Sequence, residues 1–259
     1  MSSTALKLTA LVLMLIDHIG EFIPGIPVWF RWLGRLSAPV FLFCMVWGLA
    51  YTHDKKRYLS RMYFFGVIMA VGNLILNSTV PHPYTYLFNN IFVTLFLVGV
   101  VVELIELLKK DWKKGILGWV CFILFQVVST IVCIFLAQIP LFSGRLARTA
   151  AALLPNLTLC EGGVIVVLMG VLLYYTKKNK KILALSYLLY CAAFFFLSCG
   201  TDFSYSNLFL LNYQWMMVFA LPFMLAYNGK KGRGMKYLFY IFYPAHIFVL
   251  FLLGSFLNR

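Results

Sequence analysis

Apolar runs long enough to cross a bilayer recur along almost the whole chain, and the loops that separate them are short and basic. Four of these loops carry four cations each: Lys55, Lys56, Arg57 and Arg61; Lys109, Lys110, Lys113 and Lys114; Lys177, Lys178, Lys180 and Lys181; and Lys230, Lys231, Arg233 and Lys236. An apolar helix of about 20 residues spans a hydrocarbon core. Lys and Arg in short loops mark the cytoplasmic side. The pattern therefore predicts an all-α, polytopic integral membrane bundle of about nine transmembrane helices with a cytoplasmic N-terminus. Of the 259 residues, 63% are hydrophobic and 12% are charged, more apolar surface than a soluble domain of this size needs. No polar stretch is long enough for a soluble domain, so residues 1–259 read as a single transmembrane domain. Met1-Ser2-Ser3-Thr4 has no basic n-region and no small-residue cleavage site follows, so the first helix is expected to be retained.

The formal net charge of +14 would suit nucleic acid, but its distribution does not. Most of the Lys and Arg belong to the four short loops, where topology and contact with anionic lipid explain them. The expected partner of that charge is the bilayer, and nucleic acid is excluded. Six cysteines without a CxxC pair lie mostly in apolar runs, where Cys behaves as a small hydrophobe, so neither a disulfide framework nor a metal site is expected.

Nine spans are expected at about Ala5–Ile23, Trp29–Tyr51, Met62–Leu76, Leu87–Leu107, Gly115–Ala137, Glu161–Tyr175, Ile182–Cys199, Asn207–Tyr227 and Lys236–Leu257. This parity puts all four basic loops on one side. Pro140–Glu161, interrupted by Arg145, Arg148 and Pro155, is too short an apolar run to span. It reads as an amphipathic or re-entrant segment on the outer side.

Charge inside a span is costly, by roughly 2.5–3.5 kcal/mol per group, and marks candidate function. The first helix carries Lys7, Asp17 and His18. Lys7 and His18 are eleven residues apart, which closes about three turns and leaves both on one face, ~16 Å apart along the axis. The last helix carries Tyr240, Tyr243 and His246 on an i, i+3, i+6 course, with Pro244 loosening the backbone. Both helices point outward, so His18 and His246 should lie at matching depth and form a proton-transfer site. Arg31 and Arg35, at i and i+4 on the second helix, are the expected partners of Asp17. Each residue also has a plainer reading. His246 would bond a backbone carbonyl, Asp17 would only tie two helices together, Lys7 would snorkel, and the tyrosines would pack.

Several words of the sequence occur together in one order: Lys7, ten residues, His18; Ile16-Asp17-His18-Ile19-Gly20; Gly34-Arg35-Leu36-Ser37-Ala38-Pro39-Val40-Phe41; Asn90-Ile91-Phe92-Val93-Thr94-Leu95; Tyr227-Asn228-Gly229-Lys230-Lys231-Gly232; and Phe239-Tyr240-Ile241-Phe242-Tyr243-Pro244-Ala245-His246. This ordered set resembles the TraX family, the acetylases of conjugative pilin, within the broader membrane-bound acyltransferases. The resemblance covers nearly the whole chain. It departs at Ser37-Ala38, where many relatives have a bulkier pair, and it finds no word in Pro140–Glu161.

What the resemblance implies is a multi-pass protein of the bacterial inner membrane that moves an acyl group, typically acetyl, from cytoplasmic acetyl-CoA or another acyl-CoA. The acceptor would be an amine or hydroxyl, such as a pilin N-terminus or a cell-surface glycan. His18 would be the catalytic base and Lys7 its paired cation. Asp17 would orient the site, with Tyr243 and His246 from the terminal word. Lys7, Arg57, Arg61, Lys230 and Lys231 would meet the CoA phosphates. Arg31, Arg35 and Asn90 would pair charge or hold substrate. Two other classes fit the bare residues: a proton-coupled transporter using the intramembrane Asp and His, and a non-enzymatic membrane assembly factor for a surface structure. The transporter class is weakened by the lack of an internal repeat.

Overall fold

The computed structural model describes residues 1–82, 85–139 and 144–257, and among these the regular structure is helical throughout. Eleven α-helices follow in order: α1 Ser3–Phe22, α2 Trp29–Gly34, α3 Ser37–Tyr51, α4 Lys55–Thr79, α5 Ile91–Lys110, α6 Trp112–Ala137, α7 Arg145–Leu153, α8 Gly163–Thr176, α9 Lys180–Cys199, α10 Leu221–Leu225 and α11 Lys236–Leu257. Six helical stretches are long and apolar enough to cross a membrane: Trp29–Tyr51, Lys55–Thr79, Ile91–Lys110, Trp112–Ala137, Lys180–Cys199 and Tyr237–Leu257. Gly163–Thr176 and Tyr213–Leu225 are shorter apolar helices. The protein is a polytopic helical membrane protein. Beyond its first turn α6 exposes apolar side chains, with Leu117, Leu124, Ile131 and Phe135 each at least 60% exposed, as a face in contact with lipid requires.

Two compact units divide the chain: Met1–Gly48 with Leu172–Arg259, and Leu49–Val171. In the first, α1 packs against α2 and α11, and α9 against the stretch that follows it. The loop Asn228–Arg233 clasps the start of α1. Ser3 N donates to the Lys230 carbonyl at 2.8 Å, Thr4 N to that of Lys231 at 3.2 Å, and Thr4 Oγ1 to that of Arg233 at 2.6 Å. Ser2 caps the helix by accepting from Ala5 N.

In the second unit, α4, α5, α6 and α7 pack together. The α5–α6 hairpin turns on Asp111 alone, and Gly115 lets the two helices touch: a Cβ there would lie 2.3 Å from the Leu108 Cα. The segment expected to be amphipathic or re-entrant is both a helix and a coil. Its residues 140–143 lie outside the described residues, and α7 then turns Ala147, Ala150, Ala151 and Ala152 inward. The coil after α7 is docked on α6. Gln126 donates to the Pro155 carbonyl and accepts from Leu157 N, both at 2.9 Å, while Ser129 donates to the Leu154 carbonyl at 2.7 Å. The polar interruptions of α6 thus satisfy irregular backbone, which has no water to turn to in a bilayer.

Three element boundaries differ from expectation, each for a local reason. The second span breaks between α2 and α3 at Arg35-Leu36. Pro39 cannot donate to the Arg35 carbonyl and its ring crowds that group. The span expected from Leu87 begins at Ile91, because the Asn77 side chain takes both the N–H and the carbonyl of Leu87, at 2.9 Å each. The eighth span is not one α-helix. It is a π turn over Ser206–Leu211, a 3-10 helix over Tyr213–Ala220 and then α10. Asn207 donates to the Cys199 and Asp202 carbonyls and accepts from Asn212, so side chains compete with the helical ladder.

Candidate functional site

The histidines of the first and last helices meet inside the first unit. His18 Nδ1 and His246 Nε2 are 2.8 Å apart, and the two residues are 3% and 7% exposed. His246 Nδ1 lies 2.7 Å from the Phe242 carbonyl, one turn back on α11. A carbonyl only accepts, so His246 Nδ1 carries the proton. In a neutral imidazole His246 Nε2 is then the acceptor, and His18 Nδ1 donates to it. This chain of hydrogen bonds leaves the lone pair of the neutral His18 on Nε2, which faces Glu21 Oε2 at 4.0 Å. Tyr243, 3% exposed, sets its ring edge-on to both imidazoles, at 6.4 Å from His18 and 5.8 Å from His246. Phe22 stacks beyond His18 and Phe242 on His246, closing the pair in aromatic surface.

The acid beside His18 is held by two arginines. Arg35 Nη2 donates to both Asp17 oxygens, at 2.6 and 2.5 Å. Arg31 Nη1 lies 2.9 Å from Asp17 Oδ1, 2.8 Å from Glu21 Oε2 and 3.0 Å from the Asp17 carbonyl. Both expected partners therefore bind Asp17 at once. The Gly34-Arg35 word explains the fit: a Cβ on Gly34 would stand 2.2 Å from Asp17 Cβ and Cγ. Arg35 also donates to Gln214 Oε1 at 3.0 Å and covers the Tyr213 ring, which ties the charge cluster to the 3-10 helix. Asp17, His18 and Glu21 offer atoms within 4.8 Å of one another, a spacing a metal would accept. The carboxylates, however, already face two guanidiniums, whose charge opposes a cation.

Lys7 sits on the His18 side of α1 near its start, with its ammonium over the Phe239 ring of α11. The lysines of the clasping loop, Lys230 and Lys231, are exposed at that same end of α1 through the contacts to Ser3 and Thr4. No carboxylate pairs with Lys7, Lys230 or Lys231 among the described residues.

Arg57, Arg61 and Asn90 belong to the second unit. Arg57 N is the donor to the Asp54 cap of α4, and the Arg61 guanidinium covers Tyr58. Asn90 is buried, donates from Nδ2 to the Gly66 carbonyl at 2.9 Å, and gives its backbone N–H to Glu161 at 2.6 Å. Four participants escaped the sequence reading of the site: Glu21, Gly34, Tyr213 and Gln214. Glu21 carried a signal, since it follows Asp17 at i+4 and faces the same arginines. The other three are brought in by tertiary packing.

Comparison with known proteins finds similarity over nearly the whole chain. A family profile described as "TraX protein" matches residues 2–254. The "Probable fimbrial assembly protein FimC, serogroup H1" of Dichelobacter nodosus is 26% identical over 261 residues, covering 96% of this chain and 94% of the relative. No solved structure matches.

Proposed function

The chain belongs to the TraX family, and from that premise we propose that it is an inner-membrane acyltransferase, carrying acetyl from cytoplasmic acetyl-CoA to an amine or hydroxyl acceptor. The observation that carries this reading is the His18–His246 couple, whose hydrogen bonds leave a basic nitrogen on His18. A neutral imidazole that keeps its lone pair is what a general base near neutral pH requires.

Acyl-CoA supplies the activated carbonyl. The residues of this chain do the rest. His18 Nε2 takes the proton from the acceptor N–H or O–H as the acceptor atom bonds to the thioester carbonyl carbon. The C–S bond then breaks, and the proton passes from His18 to the departing thiolate. While His18 is charged, His246 accepts from its Nδ1–H and holds the ring in place. The Tyr243 phenol, on a ring edge-on to both imidazoles, is a candidate donor to the developing oxyanion. Asp17, neutralised by Arg31 and Arg35, fixes α1 against α2 and so orients His18.

Charge at the foot of α1 supports a donor site there. Lys7 and, on the loop that clasps the start of α1, Lys230 and Lys231 have no paired acid among the described residues, which suits the CoA phosphates. The ~16 Å rise from Lys7 to His18 is on the scale of a pantetheine arm.

Purified protein and labelled acetyl-CoA test the reading directly. Transfer of label to an added pilin-like peptide amine or surface glycan is expected, and a His18→Ala variant should lose it. Equal transfer by that variant would remove His18 from the mechanism.

The printed name of the relative favours a second reading, a non-enzymatic factor in assembling a surface fibre. It predicts that a His18→Ala strain still assembles that structure, with the fibre subunit unmodified by mass.

A further inference from the structure

The second unit holds a cleft bounded by α4, α5, α7 and the coil before α8. Its lining includes Asn73, Asn90, Arg145, Arg148 and Glu161. None of the histidines of the first unit belongs to it. Two features mark it as built to hold something. The side-chain oxygens of Asn73 and Asn90 are buried without a hydrogen-bond partner, in residues only 7% and 8% exposed. An unsatisfied buried acceptor costs free energy that a ligand donor would recover. The amide nitrogens of the same residues are anchored, on the Asn89 carbonyl at 3.1 Å and the Gly66 carbonyl at 2.9 Å, so the oxygens are aimed by their own side chains.

The opposite wall is cationic. Arg145 and Arg148 stand one turn apart on α7, over the rings of Tyr86 and Phe88 at 5.3 and 4.8 Å. Neither is in an ion pair among the described residues, and Arg145 Nε is buried without a partner. Glu161, held by the Asn90 backbone N–H, adds a carboxylate. The cleft thus presents two guanidiniums to an anion. Its lining also holds two buried amide oxygens and a carboxylate, acceptors that an ammonium matches.

We propose that this cleft binds a zwitterion, a primary ammonium close to a phosphate or carboxylate. It lies at the ends of α4 and α5 away from their basic termini, Lys55–Arg57 and Lys109–Lys110, which is the outer side by the positive-inside bias. A phosphoethanolamine lipid headgroup and a free amino acid share this chemistry. The assignment stands apart from the acyl-transfer reading.

Binding to the full chain in detergent micelles decides it, by native mass spectrometry and by ligand-induced thermal shift. The probes are phosphatidylethanolamine, phosphatidylglycerol, free phosphoethanolamine and glycine. Phosphatidylethanolamine should bind at least tenfold more tightly than phosphatidylglycerol, which has the phosphate and lacks the ammonium. Glycine binding with no lipid preference would name a free amino acid as the source and support the same class. Arg148→Gln, and separately Arg145→Gln, should each weaken zwitterion binding at least tenfold while the ligand-free melting midpoint stays within a few degrees. If one variant does not fold, the other still reports. Equal binding of phosphatidylethanolamine and phosphatidylglycerol with none of glycine, no binding of any probe, or unchanged binding in a folded variant overturns the proposal.

Discussion

His18 and His246 share a single hydrogen bond across 228 residues of sequence, Nδ1 to Nε2 at 2.8 Å, and its direction follows from the Phe242 carbonyl on the far side of His246. The two residues are therefore not interchangeable. His18 holds the lone pair and His246 holds the ring that presents it. Loss of a positioned general base costs about 10²–10⁴-fold, so His18→Ala should reduce single-turnover acetyl transfer by that much. His246→Ala should reduce it less, with rate still rising through the titration of one base in the pH profile. A His246→Ala profile that is flat with pH, at the rate of His18→Ala, would make His246 the base instead.

The Asp17 cluster gives a second prediction, about stability. Asp17 is the common acid of Arg31 and Arg35, and all three side chains are at most 19% exposed. Removing one partner of such a buried pair costs about 3–5 kcal/mol, because the other charge stays uncompensated. Asp17→Ala should show it as a lower midpoint of thermal unfolding in detergent. Gly34→Ala should destabilise by about 1–3 kcal/mol through overpacking, since its new methyl meets the Asp17 side chain. An unchanged midpoint in Gly34→Ala would mean that α1 and α2 are free to move apart there.

Much of this geometry could be read in the chain before any coordinates. Helix direction follows from the basic loops, and direction places His18 and His246 at one depth. The i, i+4 spacing of Arg31 and Arg35 points both at Asp17. Other parts were not legible, because their causes are not periodic. Nothing in the spacing shows that Gly34 is where α1 and α2 touch. Tyr213 and Gln214 reach Arg35 only because the preceding asparagines break the helical ladder at Asn207 and Asn212. Asn73 reads as an isolated polar residue in a span and Asn77 as the start of a loop, whereas each bonds the extended chain before α5.

A third prediction concerns the α5–α6 turn, which lies outside the spans. The Asp111 carboxyl is held below its ordinary range, first by the backbone N–H of Lys114 and then by that residue's side chain. A carboxyl lowered in the folded state contributes stability above its unfolded value, about 3.9, and that stability is lost as pH falls through the folded value. Asp111→Asn should therefore differ from the parent near neutral pH and converge on it in acid once the pH has fallen through the folded value. Melting curves at several pH values would show the convergence, and a constant offset down to that pH would exclude the linkage.

The last prediction separates phosphate binding from chemistry. Lys7, Lys230 and Lys231 stand at the start of α1 without an acid partner among the described residues, and only Lys7 belongs to the helix that carries His18. If they receive the CoA phosphates, they act equally in ground and transition state. Their loss then raises KM and leaves kcat nearly unchanged. A Lys230→Ser, Lys231→Ser double variant should raise KM for acetyl-CoA roughly thirtyfold at low salt, taking about 1 kcal/mol per exposed lysine. The difference should shrink at high ionic strength, where exposed charges are screened. Lys7→Glu should act in the same sense and more strongly, because it replaces attraction by repulsion. Titrating acetyl-CoA at two salt concentrations with each variant measures this split. A fall in kcat at constant KM would move these lysines out of phosphate binding and into the chemical step.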